Sequence, residues 1–374
     1  GATTVNNAGS AGGGVDLDLG TGDTATVNFT GALDIDTNAA TGFDANGTGG
    51  TLLTVNVASA GTQAINSATG GLISFNQVAV GASGISFDNL GSSGKISGNA
   101  VTMTSVGGSG TFSGGNMNIA GASGNGIDIA SSSGAFSFGS VIIGNTTTTD
   151  DVATGIRLNG NSGSFTLTGS SIINNPTGSG VAITDSGPSY VADFQAQIEV
   201  RNRSTASASA GDGFVLTNNG TATINFASLV YNDDQRSSAP TGQGLIVNDG
   251  GILTISDGTI RTNNALGDDV YTVDISNTTL GAGGVTIGSV HIQHYDAGES
   301  GGGLRLVNNS GTFSFTEVVG ISTINGSAIL AHNTDRRRHV VEQPSGVGHH
   351  QHHAEPQCNG HILGEQHRLR HDVQ

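Results

Sequence analysis

The chain has 374 residues, including 62 Gly, 5 Pro and no Trp, with 11% charged residues and a formal net charge of −17. Abundant Gly with Ser, Thr, Asn and Asp disfavours helix, while 35% hydrophobic residues exceed what a disordered linker carries. Its acidity, with Lys95 the sole lysine, argues against nucleic acid and anionic lipid headgroups as partners.

Residues 1–334 hold 24 acidic and 7 basic side chains, and 21 of the acids are Asp, the one most at home in turns. No cysteine precedes Cys358, so the body has neither a disulfide framework nor a cysteine metal site. No apolar run approaches the roughly 18 residues of a membrane span, so direct membrane insertion is not expected. The chain starts at Gly1 without Met or a leader, and is read as an internal fragment or processed product.

A repeat organises the body. In chain order it appears as GVDLDLGTGDTATVNF (14–29), GFDANGTGGTLLTV (42–55), GIDIASSSGAFSF (126–138), GIRLNGNSGSFTL (155–167), GVAITDSG (180–187), GFVLTNNGTATINF (213–226), GLIVNDGGILTI (244–255) and GLRLVNNSGTFSF (303–315). Each copy reads Gly, apolar, any residue, apolar, a small polar cluster, and most add a second alternating strand. The glycines at 126, 155, 180, 213 and 244 are 29, 25, 33 and 31 residues apart, and 244 to 303 is 59, nearly two further periods. Alternation puts Ile127 with Ile129, Ile156 with Leu158, and Phe313 with Phe315 on single faces. One face per strand needs burial, and stacking equivalent strands from successive coils buries it. The segment YVADFQAQIEVRNRSTASASA (190–210) breaks this rhythm and predicts a longer strand followed by an extruded loop. That loop and the one in YNDDQRSSAPT (231–241) are the first candidates for partner contact.

The pattern resembles the right-handed, single-stranded parallel β-helix of bacterial autotransporter passengers and filamentous-haemagglutinin-like adhesins, over residues 5–334. The resemblance implies an all-β solenoid of roughly eleven to twelve coils, ~55 Å long at ~4.8 Å per strand. It further implies a non-catalytic, structural and adhesive segment of a secreted or cell-surface bacterial protein. Its partners would be a host or environmental glycan or protein surface, together with flanking repeats of the same chain. Pectin-lyase-like enzymes share the fold, so a carbohydrate-active enzyme is the alternative. Asn161, Asn219 and Asn309 recur at one turn, where they either form an internal amide ladder or adopt the left-handed geometry that Asn tolerates.

No residue is assigned a catalytic, cofactor-binding or metal-ligating role. The adjacent acids Asp150/Asp151, Asp233/Asp234 and Asp268/Asp269 are the best candidates for calcium or for paired-carboxylate hydrolysis, yet such pairs in turns are usually solvated. Aromatic platforms for sugars are scarce, with tyrosines only at 190, 231, 271 and 295. Arg157, Arg201, Arg203, Arg236, Arg261 and Arg305 are scattered, with Arg201 and Arg203 alternating onto one face. His291 and His294, three apart on a strand, point to opposite faces and make a poor metal pair.

At residue 335 the composition changes. Residues 335–374 hold eight of the eleven histidines, five of the twelve Lys plus Arg, and Cys358. GHHQHHAEPQCNGH (348–361) invites a metal-binding reading, but it matches no closed-site spacing. His is CAY and Gln is CAR, so HHQHHAEPQCNGHI read one nucleotide later permits ITNTTLNLNATDI, close to DISNTTLGAGG at 274–284. The segment 335–374 is therefore expected to be frameshifted or disordered and not to fold with the solenoid. Long-read sequencing of the locus across codons 334–374 should restore repeat-like sequence in a corrected frame. An unchanged frame would refute the frameshift and make metal titration of the tail the next measurement.

Overall fold

The computed structural model describes residues 3–7, 13–47, 52–58, 61–144, 152–202, 211–233, 242–262, 270–278, 284–294, 302–323, 327–332 and 340–341. Among these, all regular structure is β, and every strand pair in register is parallel. The strands stack as a β-solenoid. One sheet of twelve strands forms the first column of the stack, running from Val15–Asp18 to Ile329–His332. The other sheet holds the second and third columns. These are separate strands early in the chain, as in Ala135–Phe138 and Val141–Ile143. Later they merge into Val191–Asn202, Thr223–Asp233, Ile252–Thr262 and Val285–His294.

The period read from the sequence is the circumference of the solenoid. Ile127 pairs with Ile156 and Ile129 with Leu158; Phe214 pairs with Leu245 and Leu216 with Val247. About nine turns are closed. The eleven to twelve coils expected from the period include outer coils whose inward rows are only partly covered, such as Val15 and Leu17 at one end and Ile321 at the other. Ile329, in register with the fully buried Leu304, is 52% exposed because no described coil covers it.

Inside the closed turns the alternating residues form continuous apolar rows. Phe112, Phe138, Phe165, Phe194 and Phe226 run through five successive coils with ring centroids 5.7, 5.9, 5.6 and 4.6 Å apart. Each such contact adds about 0.5–1.5 kcal/mol beyond burial. The glycine that opens each repeat has a steric cause. A Cβ on Gly126, Gly155, Gly180, Gly213, Gly244 or Gly303 would collide with a core side chain of the third column, among them Ile143, Ile173, Val200, Tyr231, Ile260 and Ile321.

The turn from the first column into the second is equally regular. Gln77, Ser105, Ser131, Asp185, Asn218, Asp249, Asn277 and Asn308 all have φ between 49° and 55°, and Gly160 has 64°. Nine successive coils thus place a left-handed residue at this corner, which accounts for the small polar cluster. Asn161, Asn219 and Asn309 lie one residue further on, so both sequence readings of them are corrected. They are buried, and their amides do not ladder onto one another. Each clasps the backbone of the preceding coil. Asn219 Nδ2 donates to the Ile183 carbonyl at 2.9 Å and its Oδ1 accepts from the Ser186 N–H at 3.2 Å. Asn161 does the same to Ile129 and Ser132, and Asn309 to Ile275 and Thr278.

Of residues 335–374 the structure describes only Val340–Val341, paired with Ser314 and Phe315. The histidine cluster lies outside the described residues.

Gly213→Ala should cost about 1–3 kcal/mol through overpacking. Asn219→Ala should cost a similar ~1–3 kcal/mol by stranding a buried N–H and carbonyl. Denaturant titration against the parent measures both, and a loss below the error of the fit would contradict the close approach or the clasp. A third expectation concerns Asp212, whose carboxylate accepts the Gln243 N–H at 2.8 Å and whose pKa is raised, chiefly by burial. Its contribution to stability is complete below the unfolded value of about 3.9 and is lost as pH rises through the raised folded value. Asp212→Asn should therefore melt above the parent at pH 7, with the gap narrowing towards pH 4. A gap independent of pH would refute this.

Candidate functional site

Outward positions of the third column form a concave surface lined mostly by polar residues. Four strands build it: Leu33–Thr37, Gln63–Ser67, Asn89–Ser92 and Asn116–Ile119. Their inward residues, including Leu33, Ile35, Ile65, Leu90, Met117 and Ile119, are core, so alternation turns the polar residues out. Asp36, Asn66, Gly91 and Asn118 fall in one register row across four coils, with Asn89 beside Asn116 in the adjacent row. Gly91 lacks a side chain between two asparagines. The row therefore dips, opening a groove of about 640 Å³, within the usual range of roughly 300–1,000 Å³ for ligand sites.

The groove's lining residues are mostly polar and carry little charge. Among the described residues Asp36 is the only charged one lining it, and its Oδ1 accepts from Asn66 Nδ2 at 3.2 Å. Asn116 Oδ1 accepts from the N–H and hydroxyl of Ser140 at 3.2 and 2.9 Å, which fixes that amide. Thr37 sits on the inward face with Leu33 and Ile35, and among the described residues its buried hydroxyl has no hydrogen-bond partner. Asp34 leaves the same strand face two residues from Asp36 but does not line the groove. In glycosidases the two carboxylates flank the scissile bond from opposite sides, an arrangement unlike two acids side by side on one strand.

The residues singled out in the sequence fall elsewhere. Asp150, Asp151, Asp234, Asp268 and Asp269 lie outside the described residues, and Asp233 is described only as the last residue of its strand. Residues 203–210 and 234–241, containing Arg203 and Arg236, are outside as well. The longer strand expected within 190–210 is present as the twelve-residue Val191–Asn202. Tyr190, Tyr231 and Tyr271 are buried, so none of the three offers a face to a sugar. His291 is exposed, whereas His294 is fully buried against Thr262 and Thr272, as alternation requires.

Three arginines are tied into ion pairs. Arg157 meets Asp128 at 3.1 Å, Arg305 meets Asp274 at 2.9 Å, and Arg201 meets Glu199 at 2.6 Å. The first two link successive coils at the same outward position of the first column. Among the described residues no group of three or more His, Cys, Asp or Glu is placed to hold a metal ion. The groove itself was missed in the sequence because its strands belong to the least regular stretch of the repeat. The available signal was Asp or Asn two residues apart in LDIDT and NMNI, with Asn and Gly at the same spacing in NLGS.

Comparison with protein-family models, with curated proteins and with solved structures finds no match to this chain.

Proposed function

We propose that the chain is a structural and adhesive segment of a secreted or cell-surface bacterial protein, holding contact surfaces along a rigid solenoid. The observation that carries this reading is the pairing of an uninterrupted core through about nine turns with a concave, polar strand face on its outside. Side chains anchored on in-register strands are pre-positioned, so contact with a partner orders few of them and the entropic cost of binding is small. A stack of similar coils also presents many weak contacts on one body, and simultaneous engagement multiplies them. The resemblance to adhesin passengers supplies the cellular setting. The alternative, a carbohydrate-active enzyme on the same scaffold, would need an acid and a base converging on one bond.

Beads coated with the full chain test the choice. The expected result is adhesion to polysaccharide-coated or host-cell surfaces, without release of reducing or unsaturated sugars into the medium. Sustained sugar release would replace adhesion by catalysis, and beads that adhere to no surface offered would remove the adhesive role.

A further inference from the structure

We infer that the groove over Gly91 is a binding site for a neutral glycan, taken lengthwise across three or four coils; this rests on the adhesive reading and specifies its ligand. The groove's floor is the face of a parallel sheet whose backbone groups are already bonded between coils, so an incoming peptide finds no free strand edge there. Only side chains remain available. The carboxamides of Asn89 and Asn118 make no side-chain hydrogen bond within the described residues, and both are exposed. A carboxamide presents a donor and an acceptor in one plane, suiting adjacent hydroxyls that each both give and accept a proton.

Charge narrows the class. Among the described residues no Lys or Arg lines the groove, Asp36 does, and the chain as a whole carries −17, so uronate and sulfate polymers are repelled. Spacing narrows it further. Equivalent side chains recur every ~4.8 Å along the stack, close to the advance of one pyranose unit in an extended chain. An oligosaccharide laid along the row meets Asn66, the dip at Gly91 and then Asn118 with successive rings. A second copy of this chain fits poorly, because two chains of net charge −17 would have to approach each other.

The test uses the full chain with cellohexaose, mannohexaose and chitohexaose, and with an oligogalacturonate hexamer as the acidic comparison, by ligand-observed NMR and calorimetry. Gly91→Leu fills the dip. A Cβ there would sit 3.1 Å from Asn66 Oδ1 and 3.7 Å from the Asn118 carbonyl oxygen, so the flexible Asn66 side chain yields and the fold is kept. Asn118→Ala removes one amide without adding bulk, and Thr259→Ala, outward on the same column several coils away, serves as control. At least one neutral hexasaccharide should bind, weaken about tenfold or more in both groove variants, and be unaffected by Thr259→Ala. The inference is overturned if no neutral hexasaccharide binds, if the galacturonate binds best, or if Gly91→Leu and Asn118→Ala leave binding intact. Coated beads that still adhere in any of those cases would keep the adhesive role and move its contact to another face.

Discussion

The N–H of Ser131 reaches the carbonyl of Asn159, that of Asn218 the carbonyl of Asn248, and that of Asn308 the carbonyl of His332. Each coil is thus completed by its neighbour, because strands that lie crosswise to the stack have no partner within their own coil. Most other features follow from this dependence. Equivalent strands stay in register from coil to coil apart from local shifts, so the inward rows set apolar residues over one another and the left-handed corner recurs at one place in nine successive coils. Where a buried polar side chain appears, as at Asn161, Asn219 and Asn309, it repairs backbone groups of the adjoining coil that the turn leaves unpaired. The ion pairs Asp128–Arg157 and Asp274–Arg305 obey the same geometry on the outside.

The fold was legible because its two strongest constraints leave marks on single residues. A glycine is required wherever a third-column side chain packs against the start of a first-column strand, and alternation is required wherever one strand face is buried. Both recur in GIRLNGNSGSFTL and GLRLVNNSGTFSF, so the period and the core could be read directly. The role of the asparagines was not legible. Sequence shows that a polar residue is needed at the corner, but not which of two neighbours bends the chain and which one turns inward. Asn218 and Asn219 are chemically identical, yet one is exposed in the left-handed conformation and the other is buried as a clasp.

The groove lay beyond reach for a related reason. Its lining residues are about 25–30 positions apart in sequence, and each alone is an ordinary exposed Asn or Asp on an alternating strand. Concavity arises only when the register sets Gly91 between Asn66 and Asn118. A shift of that strand by one residue would turn Leu90 outward and erase the dip. The candidate site therefore depends on the stacking itself and cannot be assigned to any one repeat.

Because the hydrogen bonds between coils run along the stack, the solenoid has a distinct mechanical character. Tension applied along its axis loads the outermost rung first, and the next rung only after that one has peeled away. A coil of some 29 residues occupies ~4.8 Å of the stack when folded and stretches to roughly 100 Å when pulled out. Each lost rung thus feeds about twentyfold its own length into the tether. Under load the molecule behaves as a stepwise shock absorber, surrendering coils one at a time from the end while the interior rows, and whatever they hold, stay in register.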